Sequence, residues 1–379
     1  MNRATLLLHG GRAPSVAGDP VVTPLSQSVN YVMPPGVGGD VKYGRHGNTP
    51  TAEALHRRLA ALEGAEAALV LSSGMGATTC TLLALLRPGD HLVASAWLYG
   101  GTRRFLAQEL PAMGIDVTLI DPTETRAWRR AMRHNTRVLF LESPVNPTMR
   151  VVDLRPARML AQEHGVALVI DSTFATPINC RPIEHGADVV IHSATKYLNG
   201  HHDVLAGVVC GAEAVIEEVR AKMAVWGQAP DPFAVWLLER GLKTLDVRIR
   251  RQNATALQIA QWAVGHPAIV AVHYPGLPTH PDHEIARATL DGFGGMLALE
   301  LAGGGSAAER AVSRLTLFTC APSLGGVESL VSEPRFTSHR QLTSEERALM
   351  GIPDGFLRLS VGLEHADDLI ADLAHAVAP

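Results

Sequence analysis

The sequence predicts an α/β protein: a large, mostly parallel sheet with helices on both faces, followed by a smaller α+β unit. Three observations predict it. Short apolar runs between Ala67 and Cys210 alternate with helical stretches. Those runs are nearly continuous in apolar residues, as strands covered on both faces must be. Finally, 379 residues with 46% hydrophobic and 18% charged side chains can bury one large core and a smaller one.

Residues 1 to 50 are rich in Gly, Pro and polar side chains with little periodicity, which predicts an extended arm. From Thr51 the pattern changes, and Ala52 to Leu62 repeats apolar residues at helical spacing. The strand-like runs follow at Ala67–Leu71, His91–Ala94, Val117–Ile120, Val138–Leu141, Val166–Ile170, Asp188–Ile191 and Gly207–Cys210. A helical region spans Pro232 to Val264. The smaller unit shows strands near Met296–Leu301, Leu317–Cys320 and Phe356–Val361, and a closing helix from Ala366 to Val377. The expected division is an arm at 1–50, a large domain at 51–245 and a small domain at 246–379.

With 33 basic and 37 acidic side chains the net charge is −4, too balanced for a general nucleic-acid binder. Cys80, Cys180, Cys210 and Cys320 stand far apart without a Cys-x-x-Cys pair, so they read as reduced core thiols. The opening Leu6-Leu7-Leu8 does not match a signal or transit peptide, and no run of about 18 apolar residues occurs. The expectation is a soluble, cytoplasmic protein with neither membrane nor nucleic-acid partners.

In a sheet of this kind the ligand crevice lies beyond the carboxyl ends of the strands. The first run ends in Ser72-Ser73-Gly74-Met75-Gly76 and leads into a helix, offering backbone N–H groups to a phosphate. A dinucleotide fingerprint would need a glycine at 79, where Thr stands, and no Gly precedes a Lys to make a Walker motif. The chain has four lysines, Lys42, Lys196, Lys222 and Lys243, and Lys196 follows a strand in Ser193-Ala194-Thr195-Lys196. Another run ends in Asp171-Ser172-Thr173. Lysine, carboxylate and anion cup together suggest pyridoxal phosphate: an amine for a Schiff base, an anion for the pyridine nitrogen, and donors for the phosphate. His201-His202-Asp203 lacks a third well-spaced ligand, so no metal is expected.

These segments resemble the Cys/Met-metabolism pyridoxal phosphate enzymes, the group of cystathionine γ-synthase, the cystathionine lyases, methionine γ-lyase and the homoserine sulfhydrylases. The likeness runs through Tyr43-Gly44-Arg45, Ser73-Gly74-Met75, Tyr99-Gly100-Gly101-Thr102, Glu142-Ser143-Pro144, Asp171-Ser172-Thr173, Ser193-Ala194-Thr195-Lys196, Ser323-Leu324-Gly325-Gly326 and Arg358-Leu359-Ser360-Val361-Gly362. It implies the type I, aspartate aminotransferase-like transferase fold. It implies that Lys196 forms the internal aldimine and serves as general base, that Asp171 pairs with the pyridinium and that Tyr99 stacks on the ring. Thr173 joins the cofactor set, and Gly74, Met75, Ser193 and Thr195 hold the phosphate. Tyr43 and Arg45 would reach that phosphate from the neighbouring subunit, making a dimer obligatory and a dimer-of-dimers tetramer the family's usual state. Arg358 would bind the substrate α-carboxylate with Ser323 and Asn146. Glu142 and Glu328 read as supporting side chains rather than catalytic bases.

Relatives that handle cystathionine often carry acidic residues where this chain has Lys42 and Pro322, and methionine γ-lyases typically carry Cys where Gly101 stands. The expected reaction is γ-replacement on an O-activated homoserine by a thiol such as cysteine, with Lys42 favouring an anionic distal group. The alternatives are a carbon–sulfur lyase giving a 2-oxo acid and ammonia, and a non-catalytic cofactor-binding protein.

Overall fold

The computed structural model describes residues 1–12, 14–33, 35–36 and 41–378; the remaining arm positions and residue 379 lie outside the described residues. The large sheet contains β1 (Ala67–Leu71), β2 (His91–Ser95), β3 (Asp116–Ile120), β4 (Thr136–Glu142), β5 (Ala167–Asp171), β6 (Val189–Ser193) and β7 (Gly207–Gly211). Their order is β1-β7-β6-β5-β4-β2-β3, and only β7 is reversed. Each apolar run thus becomes a strand.

The continuity of those runs has its reason in the packing. Leu69, Leu92, Phe140, Val169 and Ile191 enter the core on one face, while Val70, Val93, Leu139, Ile170 and Val190 enter the core on the other. Burying one such side chain is worth about 1.5–3 kcal/mol, so polar residues are few on either face, and the buried His192 of β6 meets the Glu63 carboxylate at 2.6 Å. The chain turns mostly polar at the strand ends.

The smaller sheet contains β8 (Ile269–His273), β9 (Met296–Leu301), β10 (Thr319–Cys320), β11 (Leu330–Ser332) and β12 (Phe356–Ser360), in the order β10-β11-β12-β9-β8. β8 and β11 were not expected. β8 is an edge strand whose side chains are mostly part exposed, and β11 is three residues long, so neither carries a sustained pattern. The strand expected at 317–320 shrinks to β10, whose residues are exposed. Cys320 is therefore exposed, correcting the expectation of four core thiols; Cys80, Cys180 and Cys210 are buried.

The arm also departs from the expectation at its start. Residues Arg3–His9 form a helix, α1, with Asn2 capping it by accepting the Ala4 N–H at 3.0 Å. Leu7 is buried in the same core as Leu55 and Leu59 of α2 (Pro50–Glu63), so this part docks on its own chain. Seven residues carry too little periodicity to announce a helix. The region 232–264 divides into helices Pro232–Leu242 and Leu245–Ala263. A Cβ at Gly241 would stand 2.3 Å from the Asn199 carbonyl oxygen, so glycine lets the first of these pass over the turn that follows Lys196. Among the described residues, no helix is long and apolar enough to cross a membrane.

Candidate active site

The polar residues gather where five parallel strands end. After β1, Ser73 caps the helix Gly74–Leu85 (α3) by accepting the Gly76 N–H at 3.0 Å. The Gly74 and Met75 amides stand in the first turn, outside the helical ladder, where N–H groups can receive an anion. A Cβ at Gly74 would lie 2.7 Å from both Cβ and Oγ of Ser193, so only glycine lets the end of β6 close on the start of α3. Gly74 and Ser193 therefore lie side by side, with Met75 next along the first turn of α3. Thr195 Oγ1 donates to the Ala206 carbonyl at 3.3 Å and accepts the Ala206 N–H at 3.1 Å. Gln228 is an unexpected neighbour: its carbonyl accepts the Ser72 N–H at 2.8 Å and its Oε1 the Ser72 hydroxyl at 2.9 Å. No local motif marks it, since it arrives from 156 residues away.

Two carboxylates end neighbouring strands in register, Glu142 on β4 and Asp171 on β5. Thr173 donates its N–H at 3.0 Å and its hydroxyl at 2.5 Å to Asp171 Oδ1, and its Oγ1 accepts the Ser193 N–H at 2.9 Å. Thr173 thus fixes Asp171 rather than facing the phosphate cup alone, and Oδ2 has no hydrogen bond among the described residues. Burial pushes the Asp171 carboxyl above its ordinary range, against the lowering by Thr173 and by the charge of His192. Glu142 is pushed up to about 8 by burial and by Asp171.

Lys196 follows β6 in a turn held from beneath by Arg248, whose guanidinium donates to the carbonyls of Tyr197 at 2.7 Å and Gly241 at 3.0 Å. Burial, with Arg358 nearby, brings the Lys196 amine down to about 8. Its Nζ donates to Ser323 Oγ at 2.7 Å. Ser323 adopts φ 88°, a left-handed conformation uncommon for a side-chain-bearing residue, and so turns its carbonyl to accept from Arg358 Nη2 at 2.9 Å. Arg358 Nη1 donates to Asn146 Oδ1 at 2.9 Å, while its buried Nε has no partner among the described residues. Among those residues the guanidinium pairs with no carboxylate and still has a donor to give.

Tyr99 is 49% exposed, and a Cβ at Gly101 would stand 2.6 Å from its ring, so the glycine leaves room for the ring. The Tyr99 N–H donates to Glu142 Oε2 at 2.7 Å. Tyr43 and Arg45 lie elsewhere: Arg45 donates to the Ala224 carbonyl at 2.9 Å and covers the Tyr43 ring at 5.7 Å. Among the described residues, no hydrogen bond or ring contact joins either to Gly74, Met75, Ser193, Thr195 or Lys196. Lys42 is not free, because both oxygens of Glu53 accept from its Nζ, at 2.9 and 3.0 Å. Nothing local in the sequence marks Glu53 as the partner of Lys42; it stands on the first turn of α2, where acidic residues are common for reasons unrelated to Lys42.

This set fits pyridoxal phosphate. The cup has N–H and hydroxyl donors, burial raises the carboxyl of Asp171, and Lys196, whose amine is lowered to about 8, stands in the turn after β6. Among the described residues, no group of His, Cys, Asp and Glu is arranged to hold a metal ion.

The model of the Cys/Met metabolism PLP-dependent enzyme family matches residues 4–378. The chain is 41% identical to L-methionine gamma-lyase of Pseudomonas putida, over 99% of this chain and 96% of that one. It is 41% identical to cystathionine beta-lyase of Coxiella burnetii, over 98% and 97% of the two chains. The solved structure of cystathione gamma lyase from Micromonospora echinospora superposes with a TM-score of 0.93 at 39% identity, covering all of both chains.

Proposed function

Since the chain belongs to the Cys/Met metabolism PLP-dependent enzyme family, we propose that it catalyses γ-replacement on an O-activated homoserine, with a thiol such as cysteine as the incoming group. It is a pyridoxal phosphate enzyme of sulfur amino-acid metabolism with the type I fold of its relatives. When bound, the cofactor supplies an electron sink for negative charge at the substrate's α-carbon.

The chain's own residues carry the rest of the proposal. Arg358 binds the α-carboxylate through its spare N–H groups, held in plane by Asn146 and the Ser323 carbonyl. Lys196 takes the proton from Cα, since an amine near 8 can accept and return a proton at neutral pH. Asp171, anchored by Thr173, holds positive charge at the ring nitrogen, and Tyr99 covers the ring. The Gly74 and Met75 amides with Ser193 and Thr195 bind the phosphate. Tyr43 and Arg45 complete the same cup from a second copy of the chain, in a homodimer that pairs into a tetramer. The domain division stays at 1–50, 51–245 and 246–379, supported by the helix Leu245–Ala263, whose Ala256 and Ile259 pack in the core of the second sheet.

One observation carries the reading: Ser323 joins Lys196 on one side and Arg358 on the other, putting the base beside the carboxylate site. A second reading, a carbon–sulfur lyase, is favoured by the lyase relatives. The choice is tested by incubating the enzyme with succinyl- and phosphoryl-homoserine, each with and without cysteine, and identifying products by mass spectrometry. Cystathionine formed only with cysteine supports replacement; 2-oxobutyrate dominating in both mixtures replaces it with the lyase.

A further inference from the structure

Gln228 belongs to none of the motifs that carry the site. The helix Glu213–Trp226 ends at Gly227 in the left-handed conformation, φ 74°, and the Gln228 N–H closes that end on the Met223 carbonyl at 3.0 Å. With its backbone fixed in this way, Gln228 meets the loop after β1: its carbonyl accepts the Ser72 N–H at 2.8 Å and its Oε1 the Ser72 hydroxyl at 2.9 Å. One residue thus receives both donors of another.

The same side chain touches the loop at a second point. A Cβ at Gly76 would stand 2.7 Å from Gln228 Oε1, so the missing side chain lets the amide lie against the first turn of α3. Gly76 sits inside that helix and is not among the glycines with positive φ, so its backbone conformation does not call for glycine. Glycine within a helix is less favourable than alanine, and the room it leaves for Gln228 is what offsets that cost. Between Ser72 and Gly76 the loop is pressed by the large sheet, with Ser193 against Gly74 and the start of β7 against Ser73, where a Cβ at Gly207 would stand 2.1 Å from the Ser73 carbonyl oxygen. Gln228 holds the two ends of that segment.

We propose that Gln228 is a positioning residue for the cofactor phosphate: by pinning Ser72 and lying against Gly76, it fixes the turn whose Gly74 and Met75 amides receive the anion. The inference rests on the reading of that turn as the phosphate cup. Its effect is confined to the phosphate, because among the described residues no hydrogen bond joins Gln228 or Ser72 to Asp171, Tyr99 or Lys196, the groups assigned to the ring and the aldehyde.

The test is equilibrium binding of pyridoxal phosphate and of pyridoxal, which lacks the phosphate, to the cofactor-free protein, followed by absorbance. Wild type, Gln228→Ala, Gly76→Ala and the double variant are compared. Gln228→Ala should weaken pyridoxal phosphate by roughly 10-fold and leave pyridoxal within about 2-fold. Gly76→Ala sets a methyl against the far end of a flexible side chain, so it displaces Gln228 while the helix stays formed, and it should produce the same selective loss. In the double variant the methyl has nothing to displace, so the loss should match that of Gln228→Ala alone. Unchanged affinity for pyridoxal phosphate in Gln228→Ala, an equal loss for pyridoxal, or multiplied losses in the double variant overturns the proposal. Should Gln228→Ala fail to fold, the comparison of the two ligands in Gly76→Ala decides it. Wild type binding pyridoxal phosphate no tighter than pyridoxal would instead sink the reading of the turn as a phosphate cup, so the two failures are distinct.

Discussion

Ser323 Oγ and Lys196 Nζ lie 2.7 Å apart although 127 positions separate them in the chain. One residue comes from the small-sheet half and the other from the end of β6. The same serine's carbonyl holds Arg358, so the two halves of the chain meet at Ser323.

Replacing Ser323 by Ala removes the hydroxyl without touching the carbonyl. A hydrogen bond to a charged group is worth about 1.5–3 kcal/mol, so kcat/KM should fall by roughly 10-fold or more while the cofactor absorbance persists. Steady-state kinetics beside a spectrum checks this; an unchanged kcat/KM would remove Ser323 from the site.

Arg358→Lys keeps a charge but loses the fork that spans Asn146 and Ser323. KM for the amino acid should rise by roughly 100-fold, with cofactor affinity held within about 3-fold. A selective loss of cofactor affinity would place Arg358 elsewhere.

The Lys196 amine is lowered from 10.5 to about 8, so it is largely protonated at pH 6 and largely neutral at pH 9. Only the neutral amine attacks an aldehyde. The rate of Schiff-base formation on adding the cofactor should therefore climb about 10-fold per pH unit below 8 and level off above it. Stopped-flow absorbance would show this, and a rate that is flat from pH 6 to 9 counts against Lys196 as the attacking amine.

Lys42 was expected to favour an anionic distal group, but Glu53 already neutralises it. Lys42→Ala should change the preference between anionic and neutral homoserine esters by less than about 3-fold, the scale of an exposed ion pair. Glu53→Gln, which frees the ammonium, should shift it towards the anionic ester. If neither substitution changes the ratio of kcat/KM values, Lys42 has no part in specificity.

Sharing of the site between subunits has its own test. Lys196→Ala and Arg45→Ala are each expected to be poorly active alone, yet co-expressed chains should regain activity at roughly a quarter of their sites. Mixed dimers of that kind contain one cup with both residues intact. Absence of any recovery would place Arg45 outside a partner's cup.

The strands of the large sheet were legible because burial on both faces demands apolar runs, and their polar ends stand out by contrast. Gly74, Lys196 and Asp171 were legible for the same reason. β8 and β11 were not, one being an edge strand and the other too short to repeat a pattern. The pairing of Lys42 with Glu53, the support of the Lys196 turn by Arg248 and the placing of Gln228 beside Ser72 have no local signature.

By itself, the sequence determined the alternation of strands and helices, the polar character of the strand ends and the family with its cofactor, because these follow from local pattern and motif. The tertiary structure decided which charges remain free, which carboxyls press against each other and which residues meet across the two sheets. Those depend on distances between segments far apart in the chain, and on a burial that no single segment sets.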